Sequence, residues 1–132
     1  MTSRISLLLG GLLAALAVGL GAFGAHAMQA VLDERELALW NTAVQYQMWH
    51  ALGLLALGAC RLPRLGVAIA LLATGTVIFA GTLYLLALTG VRWLGMITPV
   101  GGTLMIVGWL FVAWRACAGR WPGARRADRA GS

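Results

Sequence analysis

A small set of side chains in this sequence could do chemistry, and each lies in an otherwise apolar stretch. The set combines imidazole, phenol, amide and hydroxyl groups with a pair of glycines: His26, Tyr46, Gln47, His50, Thr82, Tyr84, Thr98, Gly101 and Gly102. Polar side chains inside a bilayer mark function by default, although their commonest role is hydrogen bonding between helices. These residues form a candidate cluster that either joins helices or binds a ligand.

The two histidines, His26 and His50, permit three interpretations. Each can hydrogen-bond a neighbouring helix, serve a ligand or carry a proton, or the two can ligate haem together as in some four-helix bundles. We expect hydrogen bonding first and haem last, because two histidines alone are a weak haem signal.

The glycine pair Gly101-Gly102 follows Thr98-Pro99, which is typical of the cap and first residue of a helix. A helix start at this point would expose backbone N–H groups to an anionic headgroup or a quinone carbonyl. The alternative is that these glycines serve close packing, since glycine is frequent in membrane helices.

The chain is predicted not to be an enzyme. The apolar stretches contain no carboxylate, and neither Cys60 nor Cys117 has a histidine near it in sequence. No nucleophile with its base is visible, and ion pumping is disfavoured on the same ground. We expect both cysteines to be free thiols near the cytoplasmic face, and the sequence specifies no cofactor and no metal site.

The elements that must position these residues are membrane helices. Of the 132 residues, 61% are hydrophobic and 11% charged, which nearly excludes a water-soluble globule. Four windows without charge each exceed the about 20 residues that cross a bilayer: Ile5–Leu32, Leu37–Cys60, Leu65–Val91 and Trp93–Trp114. The predicted fold is all-α, an antiparallel four-helix transmembrane bundle.

The membrane domain is predicted over residues 1–118, and an Arg-rich, disordered cytoplasmic tail over 119–132. The spans are placed at about 5–28, 42–60, 65–88 and 94–116. A helix start at about 33–41 precedes the second span, because Asp33 and Glu36 have capping-box spacing, and Trp40 would anchor it at the interface. Thr89-Gly90 is expected to end the third span.

Small residues predict which face of the first span packs. One helical stripe of that span holds Gly11, Ala15, Gly19, Ala22 and His26. Small residues let membrane helices approach closely, so this stripe should face protein and direct His26 inward. On the second span Thr42, Tyr46, His50 and Gly53 form a stripe that should meet it in the outer half of the bundle.

The arginines predict orientation. With both termini inside, eight of the ten arginines are cytoplasmic and only Arg35 and Arg92 are outside, which is the positive-inside bias. This distribution explains the net charge of +6 without nucleic acid. Ala25-His26-Ala27 imitates a signal-peptide cleavage site, but the uncharged stretch of 28 residues far exceeds the usual 7–15. The first span is therefore expected to be retained.

Four segments in the same order carry a resemblance to a known family: Gly-Ala-Phe-Gly-Ala-His-Ala at 21–27, Thr-Ala-Val-Gln-Tyr-Gln-Met-Trp-His-Ala at 42–51, Gly-Thr-Leu-Tyr-Leu-Leu-Ala-Leu-Thr-Gly at 81–90 and Ile-Thr-Pro-Val-Gly-Gly at 97–102. The chain resembles the YgdD-like family of small bacterial inner-membrane proteins, a domain of unknown function. The resemblance implies a four-span protein of the bacterial inner membrane. It implies no activity and no catalytic residue.

Three classes of function follow from the sequence. The first is a non-enzymatic membrane protein whose polar cluster joins the helices and whose surface meets a partner or lipid. The alternative is a binder of a small amphipathic ligand, which would be a quinone, a lipid headgroup or, less readily, haem. A small transporter subunit is the second alternative. The expected partners are the lipid bilayer and no nucleic acid, with a membrane-protein partner or a homo-oligomer left open.

Overall fold

The structure is a computed structural model that describes residues 2–60 and 64–118. It contains four α-helices and one short 3-10 helix, Met28–Ala30. The α-helices are α1 Thr2–His26, α2 Glu34–Ala59, α3 Gly66–Thr89 and α4 Leu94–Cys117. The prediction of an all-α, four-helix protein is confirmed, while the predicted tail at 119–132 lies outside the described residues.

Three of the helical segments are long and apolar enough to cross a membrane. They are Thr2–Ala30, Gly66–Thr89 and Leu94–Cys117, with mean hydropathies of 2.2, 2.0 and 1.8. The helix α2 is as long as the others but carries amides, an imidazole and two acidic residues. Of its polar side chains, Gln47 and His50 are buried, whereas Asn41 and Gln45 are exposed.

The start of α2 follows the predicted capping box. The Asp33 carboxylate accepts from the Glu36 backbone N–H at 2.7 Å, and the Glu36 carboxylate accepts from the Asp33 backbone N–H at 3.0 Å. Two of the free donors at the helix N-terminus are satisfied in this way. The predicted end of α3 is also confirmed, since Gly90 caps it in the left-handed conformation at φ 67°.

Consecutive helices pack against each other, α1 on α2, α2 on α3 and α3 on α4. The helices α1 and α3 touch over only a short stretch, and α1 and α4 form no interface within the described residues. The arrangement is therefore open and not a closed square of four helices. The central core lies between α2, α3 and α4 and contains Leu54, Ile69, Leu72 and Met105.

The face of α1 that packs on α2 is not the predicted one. Gly10, Ala17 and Gly24 are buried at seven-residue spacing, whereas the predicted stripe of Gly11, Ala15, Gly19, Ala22 and His26 is exposed throughout. A Cβ at Gly10 would lie 2.9 Å from the Ala51 carbonyl oxygen. The seven-residue repeat matches the period at which a helix keeps one face on its neighbour.

The start of α4 is also earlier than predicted. The helix begins at Leu94, and Pro99 lies inside it instead of at its first position. The first turn is already closed by backbone bonds, including Leu94 N–H to the Val91 carbonyl and Gly95 N–H to the Arg92 carbonyl, both at 3.1 Å. An interior proline is tolerated in membrane helices, where neighbouring groups re-satisfy the backbone that it frees.

Candidate functional site

Two polar side chains of α2 lie at the middle of the helices. Tyr46 and Gln47 are the two central residues of the 26-residue α2. The Tyr84 hydroxyl donates to Gln47 Oε1 at 3.0 Å, and Gln47 Nε2 donates to the Leu13 carbonyl at 2.9 Å. Leu13 adjoins the midpoint of the 25-residue α1. This chain of hydrogen bonds joins α3, α2 and α1 at one depth, and Gln47 is only 4% exposed.

Two further hydrogen bonds fix α1 on α2 above and below Gln47. The Ser6 hydroxyl donates to the Leu54 carbonyl at 2.6 Å, and Trp40 Nε1 donates to the Leu20 carbonyl at 2.9 Å. Trp40 is 3% exposed and packs edge-on against Tyr84 with ring centroids 4.7 Å apart. The Trp40 ring therefore lies between α1 and α3, while its predicted position at the membrane interface stays a prediction.

Sequence reasoning missed Ser6 and the inward role of Trp40. One sequence feature could have indicated the inward position of Trp40. It is Gly24 of α1, which lies one helical turn beyond Leu20. A Cβ at Gly24 would lie 2.5 Å from Trp40 Nε1, so only glycine makes room for the indole there. A glycine facing a tryptophan can mark a packed aromatic ring as well as a helix contact.

Thr82 and Thr98 face each other between α3 and α4. Their hydroxyl oxygens are 2.9 Å apart, and each also contacts a carbonyl of its own helix, Ile78 at 2.8 Å and Leu94 at 3.2 Å. Both residues are 9% exposed. Their hydroxyls are therefore used within the protein.

Gly101 serves helix packing. A Cβ at this position would lie 2.5 Å from the Phe79 backbone nitrogen and 2.7 Å from the Gly75 carbonyl oxygen. The backbone of α3 therefore fills the space in which a headgroup or quinone carbonyl was considered. Gly102 is different, because a Cβ there would meet only the Phe79 ring, at 3.8 Å.

His50 and Tyr46 lie on the side of α2 that is nearer α4. His50 is 8% exposed, and its Nδ1 lies 2.7 Å from the Tyr46 carbonyl oxygen. A carbonyl can only accept, so Nδ1 carries the proton and Nε2 of the neutral ring is an acceptor. Trp109 of α4 approaches the His50 ring to 6.1 Å between centroids.

The expected meeting of His26 and His50 does not occur. His26 is exposed at the last residue of α1, whereas His50 adjoins Ala51, which packs at the level of Gly10. Sixteen residues of helix separate Gly10 from His26, which is about 24 Å at 1.5 Å per residue. The two histidines of one chain therefore cannot ligate one haem, and the predicted cluster is divided among three helix interfaces and one exposed helix end.

A groove runs between α1 and α3 because these helices scarcely touch. It consists of two adjoining cavities of about 490 and 210 Å³ that share Leu13 and Val77. Leucines of α1 form one wall, and small residues of α3, including Ala70, Ala73 and Gly81, form the other. Gln47 and Tyr84 lie in the smaller cavity. The hydrogen-bond chain at the middle of the helices therefore adjoins an otherwise apolar groove.

Cys60 and Cys117 are free and exposed. Their predicted location near the cytoplasmic face stays a prediction. Among the described residues, no group of three or more metal-ligating side chains comes together.

Four helices, three of them apolar enough to cross a membrane, and polar groups bonded between them define a small integral membrane protein. Residues 20–102 match the family described as protein of unknown function (DUF423). A UPF0382 membrane protein of Staphylococcus epidermidis is 48% identical, covering 81% of this chain and 90% of its own length. The UPF0382 membrane protein YwdK of Bacillus subtilis is 41% identical, covering 83% and 93%.

The chain therefore belongs to the DUF423/UPF0382 family of bacterial multi-pass membrane proteins, which confirms the resemblance to YgdD-like proteins. No solved structure matches the chain. The matched segment contains every residue of the predicted cluster, from His26 to Gly102.

Proposed function

We propose that this protein is a non-enzymatic, four-span protein of the bacterial inner membrane that holds a lipid acyl chain in the groove between α1 and α3. The observation that carries the proposal is the use of the polar groups beside this groove. Gln47 and Tyr84 are hydrogen-bonded to each other and to α1, so the groove offers an acyl chain apolar walls and few free polar atoms.

The fourth span in this proposal is α2. Its 26 residues extend about 39 Å, enough to cross the about 30 Å hydrocarbon core. It packs between two of the apolar spans, α1 and α3. Burial of Gln47 against those neighbours, and of His50 on the side nearer α4, offsets the cost of their polarity in lipid.

The arginines support an orientation with both termini in the cytoplasm. Arg4, Arg64 and Arg115 lie at one end of the four helices, and Arg35 and Arg92 lie at the other. The larger group is joined in the sequence by the arginines of the C-terminal tail. Short loops rich in arginine stay on the cytoplasmic side.

Reporter fusions test this orientation. A periplasm-active reporter should give a signal when fused after Asp33 and none when fused after Cys117. The same reporter fused after Cys60 serves as an internal control for the cytoplasmic side. A strong signal from the fusion after Cys117 would contradict the proposed topology.

Packing is the reason to expect a lipid chain in the groove. A cavity left empty loses dispersion contacts on the side without partner atoms. The α1–α3 groove lies within the segments that are predicted to span the membrane. Leucines form one of its walls and small residues form the other. A flexible hydrocarbon chain restores those contacts, and the surrounding bilayer supplies it.

Filling the groove tests lipid binding. A Cβ at Gly81 meets nothing within 4 Å, so Gly81→Leu should fold and occupy the smaller cavity. Native mass spectrometry of protein released from its own membrane should then show several-fold less retained lipid than the parent. Gly11→Leu is the matched control, because Gly11 also has open space and lies on the opposite face of α1. Equal lipid retention in both variants would contradict the proposal.

A further inference from the structure

Tyr46 and His50 each have a polar side-chain atom with no hydrogen-bond partner among the described residues. The two atoms are Nε2 of His50, whose Nδ1 alone is bonded, and the hydroxyl of Tyr46, one helical turn away. No fully buried side-chain nitrogen or oxygen in the described part of the chain lacks a partner. Both atoms must therefore reach the protein surface, although His50 as a whole is 8% exposed.

Aromatic side chains pack beside the rings of Tyr46 and His50. The Tyr46 ring lies 4.8 Å from Phe79 and 5.1 Å from Trp49 between centroids. Trp109 closes the side toward α4, where a Cβ at Gly53 would lie 2.7 Å from its ring. We call this region the aromatic cleft, which is formed by Tyr46, Trp49, His50, Phe79, Gly102 and Trp109.

Gly102 leaves free space over the Phe79 ring. A Cβ at this residue would meet only the Phe79 ring, at 3.8 Å. Gly101 beside it is filled by the α3 backbone, as described above. The space over the Phe79 ring therefore depends on the missing side chain of Gly102.

The free atoms define the chemistry of a ligand. Because Nδ1 of His50 carries the proton, the neutral ring offers Nε2 only as an acceptor and needs an O–H or N–H donor from outside. The Tyr46 hydroxyl can donate to a second oxygen. A flat ring would pack against the aromatic side chains in offset or edge-on contacts.

We propose that the aromatic cleft binds a membrane-dissolved hydroquinone, with one ligand hydroxyl donating to His50 Nε2 and the Tyr46 hydroxyl donating to a ligand oxygen. A phospholipid fits less well, because its polar groups lie at the interface and its acyl chains contain no donor. The inference does not depend on the lipid groove, which lies between α1 and α3.

A pair of matched ligands tests the donor. The parent protein in nanodiscs is titrated anaerobically with a short-chain naphthohydroquinone and with its dimethyl ether, which has the same ring without O–H groups. Quenching of tryptophan fluorescence, corrected with empty nanodiscs, reports saturable binding, and Trp49 and Trp109 are two of the six tryptophans that contribute. The ether should bind about 2- to 12-fold more weakly, the range for one neutral hydrogen bond.

A pair of matched variants tests the site. Tyr46→Phe removes a hydroxyl that has no partner in the described protein, so the fold should persist while hydroquinone affinity falls about 2- to 12-fold. Tyr84→Phe removes a hydroxyl at similar depth that is bonded to Gln47, so affinity should not change. Gly102→Leu, which fills the space over Phe79, should abolish saturable quenching.

Three results would overturn the proposal. They are equal affinity for the hydroquinone and its ether, equal affinity of Tyr46→Phe and Tyr84→Phe, and an absence of saturable quenching in the parent. Gly81→Leu separates this proposal from the lipid groove. That variant should lose lipid and keep hydroquinone affinity, so the two proposals can fail independently.

Discussion

The α1–α2 and α3–α4 interfaces both contain small residues at their closest points, but different interactions fix them. Side chains of one helix bond to backbone carbonyls of the other at three levels between α1 and α2, through Ser6, Gln47 and Trp40. Between α3 and α4 the glycines Gly75 and Gly101 bring the two backbones together. Glycine also permits close approach in the first interface, at Gly10, but there three side-chain bonds to carbonyls accompany it, whereas the second interface has the single hydroxyl pair of Thr82 and Thr98.

This difference has an energetic consequence. A hydrogen bond between membrane helices contributes only about 0.6 kcal/mol on average, because the separated helices find other partners. A steric clash between two backbones has no such alternative, since both helices must move. A Cβ would lie 2.5 Å from backbone at Gly101 and 2.9 Å from backbone at Gly10. We therefore expect the α3–α4 interface to be the more sensitive of the two to a single substitution.

The largest effect is expected at Gly101. Gly101→Ala places a Cβ 2.5 Å from the Phe79 nitrogen and should lower the free energy of unfolding by about 1–3 kcal/mol, the usual range for overpacking. Gly102→Ala is the matched control, because it makes the same chemical change one residue away, where only the Phe79 ring lies within 4 Å. It should be neutral or slightly stabilising, since alanine favours a helix over glycine.

Unfolding of both variants in mixed micelles, followed by circular dichroism, measures this contrast. Equal stability of Gly101→Ala and Gly102→Ala would mean that α3 and α4 do not approach as closely as described. The comparison between the two interfaces would then lose its basis.

The helix ends could be predicted from sequence better than the helix faces. Asp33 with Glu36 and the glycine at position 90 act through local backbone chemistry, and both ends were predicted correctly. The proline at 99 was misleading, because Thr98-Pro99 is compatible with two arrangements. It can begin a helix, or it can lie inside a helix whose first turn has already formed, as in α4. In a bilayer the cost of an interior proline is reduced enough for the second case to occur.

The face of α1 could not be predicted because both of its sides are apolar. In a soluble helix the polar side identifies the exposed face, but lipid removes that contrast. Gly10 and Gly11 then offer equally small surfaces, and only the partner helix distinguishes them. The wrong face also gave the wrong orientation for His26, because His26 is the last residue of the exposed stripe.

The candidate site was predicted in residue types more than in arrangement. Gln47, Tyr84, Thr82 and Thr98 do bond between helices, as the first interpretation of the polar cluster expected. Their division among separate interfaces depends on which helices touch, and the sequence contains no pattern for that. The prediction grouped these residues because they lie at similar depth in the membrane. In the structure they face different neighbouring helices, because they lie on different sides of their own helices.

A smaller effect is expected where hydrogen bonds alone are removed. Gln47→Leu loses both the bond to Leu13 and the bond from Tyr84, so it should lower the free energy of unfolding by about 1–2 kcal/mol. Thr82→Val is the matched comparison between α3 and α4. It removes one hydroxyl, but Thr98 keeps its contact with the Leu94 carbonyl, so the loss should be about 0.6 kcal/mol or less.

Unfolding in mixed micelles measures both variants. If Thr82→Val proved the more damaging, the α3–α4 interface would depend on its hydroxyl pair rather than on its glycines, and the distinction between the two interfaces would be reversed.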